Sequence, residues 1–225
     1  MFNPYSTSTH DTPDSKQLVC GRKWDLEQIF RLISEDQSIA LFGEKRIGKT
    51  LTLYLIRDII DKSIDEYKDR MCDKDFSTWI TELETNHPVM TSPTECNLAG
   101  LQSVVPRSIT DIVRGLHKTF PSSEGSEKES LTELFTKLDA DRTSHLVILI
   151  DEMEEIIAQR FDDLKAVFQQ LRSTIQSCEN VSFVLPGADC WVEAVKDVTS
   201  PLYGNVSDFF LSIPDLMSVR ESYCI

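Results

Sequence analysis

The stretch LFGEKRIGKT, residues 41–50, places a glycine, four variable residues and then Gly-Lys-Thr after an apolar run. The preceding QSIAL (37–41) is typical of a buried strand, and the apolar residues of LTLYLIRDII (51–60) suit a helix buried on a wide face. Strand, glycine loop and helix form the context in which this pattern predicts a phosphate-binding loop. The alternative is a chance match in a glycine-containing turn.

The residues of this loop have defined chemical roles. Gly43 and Gly48 allow backbone angles that turn successive N–H groups toward an anion, and the following helix adds the positive end of its dipole. Lys49 is predicted to reach the β- and γ-phosphates as a catalytic residue, and the Thr50 hydroxyl to bind Mg²⁺. The predicted cofactor-binding residues of the loop are Gly43, Glu44, Lys45, Arg46, Ile47, Gly48, Lys49, Thr50 and Leu51.

A second motif, which is acidic, follows the loop about a hundred residues later. HLVILIDE (145–152) is an apolar strand that ends in two acids. An aspartate at the carboxyl end of a buried parallel strand lies where such sheets bind ligands, so Asp151 is predicted to hold Mg²⁺. Glu152 is predicted to orient or deprotonate an attacking water. Glu154 and Glu155 are interpreted as a solvated helix start.

A possible guanine-binding motif is rejected. Residues 136–139 read Thr-Lys-Leu-Asp, which matches the T-K-x-D pattern of GTPases. In GTPases that pattern ends a strand after the Mg²⁺-binding acid. Here it lies before that acid and within SLTELFTKLDA (130–140), which is predicted to be an amphipathic helix. We therefore expect ATP and Mg²⁺ as cofactors.

Composition narrows the class of protein. The chain has 225 residues and a formal net charge of −14, with no run rich in Lys or Arg, so a nucleic-acid partner is not expected. Six scattered cysteines without a C-x-x-C pair are typical of a reduced, cytoplasmic protein. The N-terminus lacks an apolar signal region and no segment approaches a membrane span, so no membrane partner is expected.

The order of elements predicts the fold class. Residues 1–18 are predicted to be an extended N-terminal arm, and residues 19–225 a P-loop ATPase domain. Apolar strands alternate with helices, which predicts an α/β three-layer sandwich with a mainly parallel five-stranded sheet. The predicted helices begin near residues 25, 50, 76, 108, 130, 161 and 189, and later strands are predicted at 181–188 and 208–216. One strand is assigned to either 89–91 or 95–98.

Several motifs together resemble a known family. Asn-Pro-Tyr at 3–5, Val-Cys-Gly-Arg at 19–22, the loop at 43–50, Leu-Ile-Asp-Glu-Met at 149–153 and Phe-Val-Leu-Pro-Gly-Ala at 183–188 resemble the STAND branch of AAA+-like ATPases. The similarity is greatest to the prokaryotic type with an NPF…GR…GxRRxGKT pattern. It covers most of the chain and is weakest over residues 61–100.

The resemblance implies further roles for residues of this chain. The Gly-Arg segment lines adenine in that family, so Val19, Gly21 and Arg22 are carried over as contacts on the base side. The alternative for these residues is an ordinary turn with an N-terminal helix cap. The segment 186–188 corresponds to a sensor strand that faces the γ-phosphate, although Gly187 and Ala188 offer no polar side chain. Arg172 lies where some relatives place an arginine finger, and a surface position on a helix is the other interpretation.

The family pattern also continues past the last strand into a helical lid. This sequence ends at MSVRESYCI (217–225), where the lid of the family begins, so a truncated or split version, or one that works beside a partner, is expected. The predicted function is a nucleotide-dependent switch or assembly module that hydrolyses ATP slowly and associates with itself or another protein. The alternatives are a non-hydrolysing, nucleotide-dependent interaction protein and an AAA+-like ATPase of DNA processing.

Overall fold

The computed structural model describes residues 22–60, 78–82, 96–100, 136, 145–151, 153–157 and 161–212. The helices are α1 Lys23–Ser34, α2 Lys49–Ile60, α3 Met153–Ile157, α4 Phe161–Ser177 and α5 Asp189–Lys196, and the strands are β1 Ile39–Phe42, β2 Cys96–Gly100, β3 His145–Leu149, β4 Val181–Gly187 and β5 Ser207–Phe210. Residues 78–82 are also helical. Among the described residues, no helix combines the length and the apolar character needed to cross a membrane.

The described strands form one parallel sheet in the order β2-β3-β4-β1-β5. Leu41 of β1 is level with Pro186 of β4 and with Phe209 of β5, while Leu149 of β3 is level with Val184 of β4. All carboxyl ends therefore lie at one edge of the sheet. The predicted P-loop α/β fold with a parallel sheet is confirmed.

Helices cover both faces of this sheet. Leu41 packs in one core cluster with Ile56 of α2 and with residues of α1, while its neighbour Phe42 packs in a second cluster with Trp191 of α5. Successive residues of a strand face opposite sides, which is why one strand supplies both clusters. The residues of β1, β3 and β4 are all buried, as a sheet covered on both faces requires. The result is a three-layer sandwich.

Some element boundaries differ from the sequence-based expectations. The helix expected to start near Asp25 begins at Lys23, and the last strand ends at Phe210 instead of extending to residue 216. Of the two positions considered for the uncertain strand, β2 agrees with 95–98, whereas 89–91 lies outside the described residues. The predicted helix at 108–120 and the arm at 1–18 also lie outside them. Of the Thr-Lys-Leu-Asp motif only Thr136 is described, and it is helical.

A buried histidine lies at the amino end of the sheet. His145 Nε2 is 3.0 Å from Ser182 Oγ, and His145 Nδ1 is 3.2 Å from Asp36 Oδ1. Serine, histidine and aspartate thus follow the order of a hydrolase triad, but Ser182 is 0% exposed, so no substrate can reach its hydroxyl. The cluster joins β3, β4 and the turn before β1 as a structural element.

We expect His145 to make stability depend on pH. Burial lowers the pKa of its imidazole below the ordinary 6.5, and the nearby Asp36 carboxylate offsets this only in part. The unfolded chain therefore takes up a proton on acidification before the folded chain does, so the contribution of neutral His145 is present above the unfolded pKa and is lost as pH falls. Urea unfolding should show that the free energy of unfolding falls more between about pH 7.5 and about pH 5.5 in the wild type than in His145→Gln. Equal losses would assign the pH dependence to other groups.

Candidate functional site

The loop between β1 and α2 has the predicted unusual backbone at one of its two glycines, since Gly43 does not have a positive φ. Gly48 has a φ of +104°, a region that residues with a side chain rarely adopt, and Arg46 has a φ of 71°. The Ile47 N–H donates to the Glu44 carbonyl over 3.2 Å, which closes a tight turn at the tip. The loop therefore combines two left-handed residues with a turn directly ahead of a helix N-terminus, an arrangement able to form an anion-binding concavity.

Lys49 lies across the mouth of this loop. Its Nζ donates to the Gly43 carbonyl over 2.9 Å and to the Glu44 carbonyl over 3.2 Å. Both acceptors belong to the start of the loop, while Lys49 itself is the first residue of α2. The ammonium group is thus held beside the backbone that would surround a phosphate, where a phosphate oxygen could replace either carbonyl as the acceptor.

Asp151 and Thr50 lie at the same edge of the sheet. β3 continues beside β4 through Ile150, whose N–H donates to the Val184 carbonyl over 3.2 Å, and the half-buried Asp151 follows. Thr50 lies in the first turn of α2, which follows β1. β4 is the single strand between β3 and β1, so the carboxyl ends of β3 and β1 lie about 10 Å apart. Glu152 lies outside the described residues.

This pair of residues suits a magnesium ion. A threonine hydroxyl and an aspartate carboxylate are hard oxygen donors, and Mg²⁺ in phosphate sites uses few protein ligands beside substrate oxygens and water. The described residues contain no group of three or more His, Cys, Asp and Glu side chains able to hold a metal alone. A Mg²⁺ ion shared with a nucleotide does not need such a group, so the donor set fits Mg²⁺ bound together with phosphate.

The acidic helix start after Asp151 is less exposed than its sequence suggests. Glu154, interpreted above as solvated, is half-buried, and its Oε2 atom is buried without a hydrogen-bond partner among the described residues. Short helices at the end of a buried strand pack against the sheet, and α3 contacts both β4 and α5. That packing is not visible in a run of acidic letters. Glu154 is therefore a second carboxylate to consider beside the predicted base.

The strand end that corresponds to the sensor position is closed by a tryptophan. A Cβ atom added at Gly187 would lie 2.4 Å from both Cβ and Cγ of Trp191, so no side chain fits there. The Trp191 indole is fully buried and donates its Nε1–H to the Leu185 carbonyl over 2.9 Å. The next residue, Ala188, is the N-cap of α5 and makes no side-chain capping bond. Neither Gly187 nor Ala188 thus presents a polar group.

Arg22 makes contacts that the sequence does not reveal. It precedes α1, is 5% exposed, and donates to the Asp25 carboxylate over 2.7 Å, to the Ser212 carbonyl over 2.5 Å and to the Ile47 carbonyl. As the N-cap of α1 it makes no side-chain capping bond. Val19 and Gly21, predicted with Arg22 as contacts on the base side, lie outside the described residues. The other arginine considered, Arg172, is exposed on α4.

Most of this chain matches a known protein family. A family model described as "AAA domain" matches residues 31–194, which is more than half of the chain. The matched range includes the whole loop at 43–50, the acidic strand end at Asp151 and the strand that ends at Gly187. A comparison with curated proteins found no match.

Solved structures share the fold. A Walker-type ATPase of Pyrococcus abyssi has a TM-score of 0.56 and 15% identity, with 92% of this chain and 57% of that chain covered. The ORC2 protein of Aeropyrum pernix, solved in ADPNP–ADP complexes, has a TM-score of 0.55 and 12% identity, with 85% and 46% covered. The ORC1 protein of the same organism, solved in complex with DNA, has a TM-score of 0.50 and 12% identity, with 92% and 50% covered. The chain thus spans about half the length of these structures.

Proposed function

The chain belongs to the AAA domain family, and we propose that it binds Mg²⁺-ATP and acts as a nucleotide-dependent switch with slow hydrolysis. The observation that carries the proposal is the loop itself. Gly48 has a positive φ, and Lys49 Nζ is held by two loop carbonyls at the N-terminus of α2. Such a loop can bind an anion through backbone N–H groups, a helix dipole and one ammonium group together. A triphosphate chain satisfies all three.

Adenine is the base that we propose. The Thr-Lys-Leu-Asp motif begins at a helical residue, Thr136, and so does not have the strand-end position that guanine recognition uses. The resemblance of the Gly-Arg segment to adenine-lining segments supports the same choice. Competition experiments should therefore show displacement of bound ATP by ADP but not by an equal concentration of GDP.

Slow turnover is supported by the groups around the phosphate end. Gly187 and Ala188 present no polar side chain, and Arg46, the arginine within the loop, is exposed. Arg22 is bound to three protein acceptors, and Arg172 is exposed on α4. An arginine finger contributes about 10³–10⁵-fold to the rate where one is present. We propose that a second subunit or a protein partner completes the site, and that ATP favours the assembled form.

A steady-state ATPase assay at several protein concentrations tests this function. If the isolated chain lacks that contribution, turnover should be on the order of 10⁻² s⁻¹ or below. The rate per molecule should rise with protein concentration if self-association completes the site. A chain shown to be monomeric by light scattering that turns over several ATP per second, independent of concentration, would instead be a self-sufficient ATPase.

We expect the two acids after β3 to have separable effects. Asp151→Asn should weaken Mg²⁺-dependent ATP binding about three- to tenfold, because a hard cation prefers a charged oxygen. Glu152→Gln should leave binding nearly unchanged and slow hydrolysis at least about fivefold, because the amide cannot accept the proton of an attacking water. Calorimetric titration and single-turnover hydrolysis measure the two effects separately.

Glu154→Gln is the matched control for the predicted base. It removes the same charge from a carboxylate two residues further along the chain. Wild-type hydrolysis in Glu152→Gln together with slow hydrolysis in Glu154→Gln would transfer the role of the base to Glu154, whose Oε2 is buried without a described partner.

DNA processing is a second candidate function. The ORC1 protein of similar fold was solved in complex with DNA, which favours testing this function directly. The net charge of −14 opposes it, because duplex DNA rewards clusters of Lys and Arg. Fluorescence anisotropy with labelled duplex DNA at low salt, with and without ATP, distinguishes DNA processing from a switch that does not bind DNA. Saturable binding that weakens steeply with salt would support DNA processing.

A further inference from the structure

Arg22 joins three separate parts of the fold. Its Nη1 donates to Asp25 in the first turn of α1 and to the Ser212 carbonyl beyond β5, while its Nη2 donates to the Ile47 carbonyl in the loop. We call Arg22, Asp25 and Ser212 the clasp. A guanidinium group presents several donors in one rigid plane, so these acceptors fix its orientation as well as its position.

The clasp is supported from outside the loop. Asp25 is 0% exposed, and its carboxylate accepts the Ser212 hydroxyl at 3.0 and 3.1 Å and the Ser212 N–H at 3.4 Å. Ser212 therefore accepts from Arg22 through its carbonyl and donates to Asp25 through its hydroxyl and N–H. The buried positive and negative charges are paired, and both are held by a residue distant in sequence. The guanidinium group thus has a fixed position even without any contribution from the loop.

Arg22 acts on the peptide that leads into Gly48. In a trans peptide the C=O and the following N–H point in opposite directions. Since the Ile47 carbonyl points toward Arg22, the Gly48 N–H points away from it. A Cβ added at Gly48 would lie 3.5 Å from Arg22 Nη2, which shows how closely the guanidinium group approaches this backbone. Arg22 therefore selects one of the two orientations of this peptide.

We propose that Arg22 is a positioning residue for phosphate binding, anchored by Asp25 and Ser212. By holding the Ile47 carbonyl, it keeps the Gly48 N–H directed into the concavity of the loop, where a phosphate oxygen can accept it. The inference rests on the proposed nucleotide-binding function. It assigns Arg22 to the phosphate end of the site, whereas the family resemblance assigns the Gly-Arg segment to the base.

Binding of two ligands separates these assignments. Tripolyphosphate carries the phosphates of ATP without the base, so it measures the loop alone. Arg22→Lys keeps a positive charge beside Asp25, but a single ammonium group cannot reproduce the planar fork that reaches all three acceptors. Calorimetric titration, well below the unfolding temperature, should show both ATP and tripolyphosphate bound about tenfold more weakly by Arg22→Lys. Weaker ATP binding with unchanged tripolyphosphate binding would make Arg22 a base contact and overturn the proposal.

A matched control and a milder variant complete the test. Arg31→Lys makes the same change on the exposed side of α1, where Arg31 pairs with Glu35 over 3.8 Å, and should leave both affinities unchanged. Ser212→Ala removes one hydrogen-bond donor to Asp25 and should weaken the binding of both ATP and tripolyphosphate about threefold. It takes the place of Arg22→Lys in this test if Arg22→Lys does not fold.

The remaining outcomes are also decisive. Lower unfolding temperatures in Arg22→Lys or Ser212→Ala with wild-type affinity for tripolyphosphate would show a role in stability alone and overturn the inference. A wild-type chain that binds neither ligand would overturn the proposed function and this inference together. A wild-type chain that binds both, beside clasp variants that bind equally well, would overturn the inference alone.

Discussion

Lys49→Ala should bind ATP about ten- to a hundredfold more weakly than the wild type. The substitution removes the ammonium group that lies 2.9 Å from the Gly43 carbonyl and 3.2 Å from the Glu44 carbonyl, at the mouth of the loop. Charge-assisted hydrogen bonds to phosphate are worth about 1.5–3 kcal/mol, and each 1.4 kcal/mol is about tenfold in affinity. Isothermal titration with Mg²⁺-ATP measures the change directly.

Lys45→Ala is the matched control for this experiment. Lys45 belongs to the same loop, where its backbone N–H is the group expected to bind phosphate, and its side chain carries the same charge as Lys49 but is exposed. Its removal should change ATP affinity by no more than about twofold at moderate salt, since exposed charges are largely screened. Equal losses in the two variants would show that the loop attracts ATP by net charge alone. Unchanged affinity in Lys49→Ala would remove the loop from the binding site.

Gly187→Ala should destabilise the folded chain by about 3 kcal/mol. The added Cβ would lie 2.4 Å from Cβ and Cγ of Trp191, and a Cβ cannot rotate away as a flexible side-chain end can. Trp191 cannot move freely either, because it is fully buried and donates to the Leu185 carbonyl. Relief therefore requires a shift of α5 against β4. Urea unfolding, followed by circular dichroism, should show the loss as a lower midpoint.

The adjacent position should respond in the opposite direction. Ala188 is the N-cap of α5 without a side-chain capping bond, so Ala188→Ser supplies a hydroxyl that can accept a hydrogen bond from a backbone N–H of the first turn. We expect it to stabilise the chain by about 1 kcal/mol. If Gly187→Ala unfolds at the wild-type urea concentration, the contact with Trp191 is relaxed without cost. The steric explanation for the missing sensor side chain then no longer holds.

The fold class was predictable because its signals are local. β1, β3 and β4 are short apolar runs bounded by polar turns, and the loop at 43–50 marks the strand-to-helix turn of a nucleotide-binding sheet. Those features depend on neighbouring residues alone. The strand order depends on distant pairings such as Ile39 with Val184 and Ser207, which no local pattern encodes.

The site was predictable in part for the same reason. Lys49, Thr50 and Asp151 could be named because each stands at a fixed offset within a motif. The clasp could not be found in this way, since Asp25 and Ser212 are far apart in sequence and neither belongs to a motif. The prediction that Glu154 is solvated was wrong, because packing of α3 against the sheet partly buries it without altering the local pattern of charges. The roles of all the predicted site residues remain predictions, and Glu152, Val19 and Gly21 also lie outside the described residues.

The place of β1 within the sheet has a consequence for the order of folding. β1 is near the start of the chain, yet both of its neighbours, β4 and β5, come from the second half. A nascent chain thus exposes the loop residues early but cannot enclose β1 until almost all of the described strands have been synthesised. Such distant pairings slow folding, because long loops must close before the contacts form. Competence to bind nucleotide should therefore arise late, together with the finished sheet, so the site itself reports completed folding.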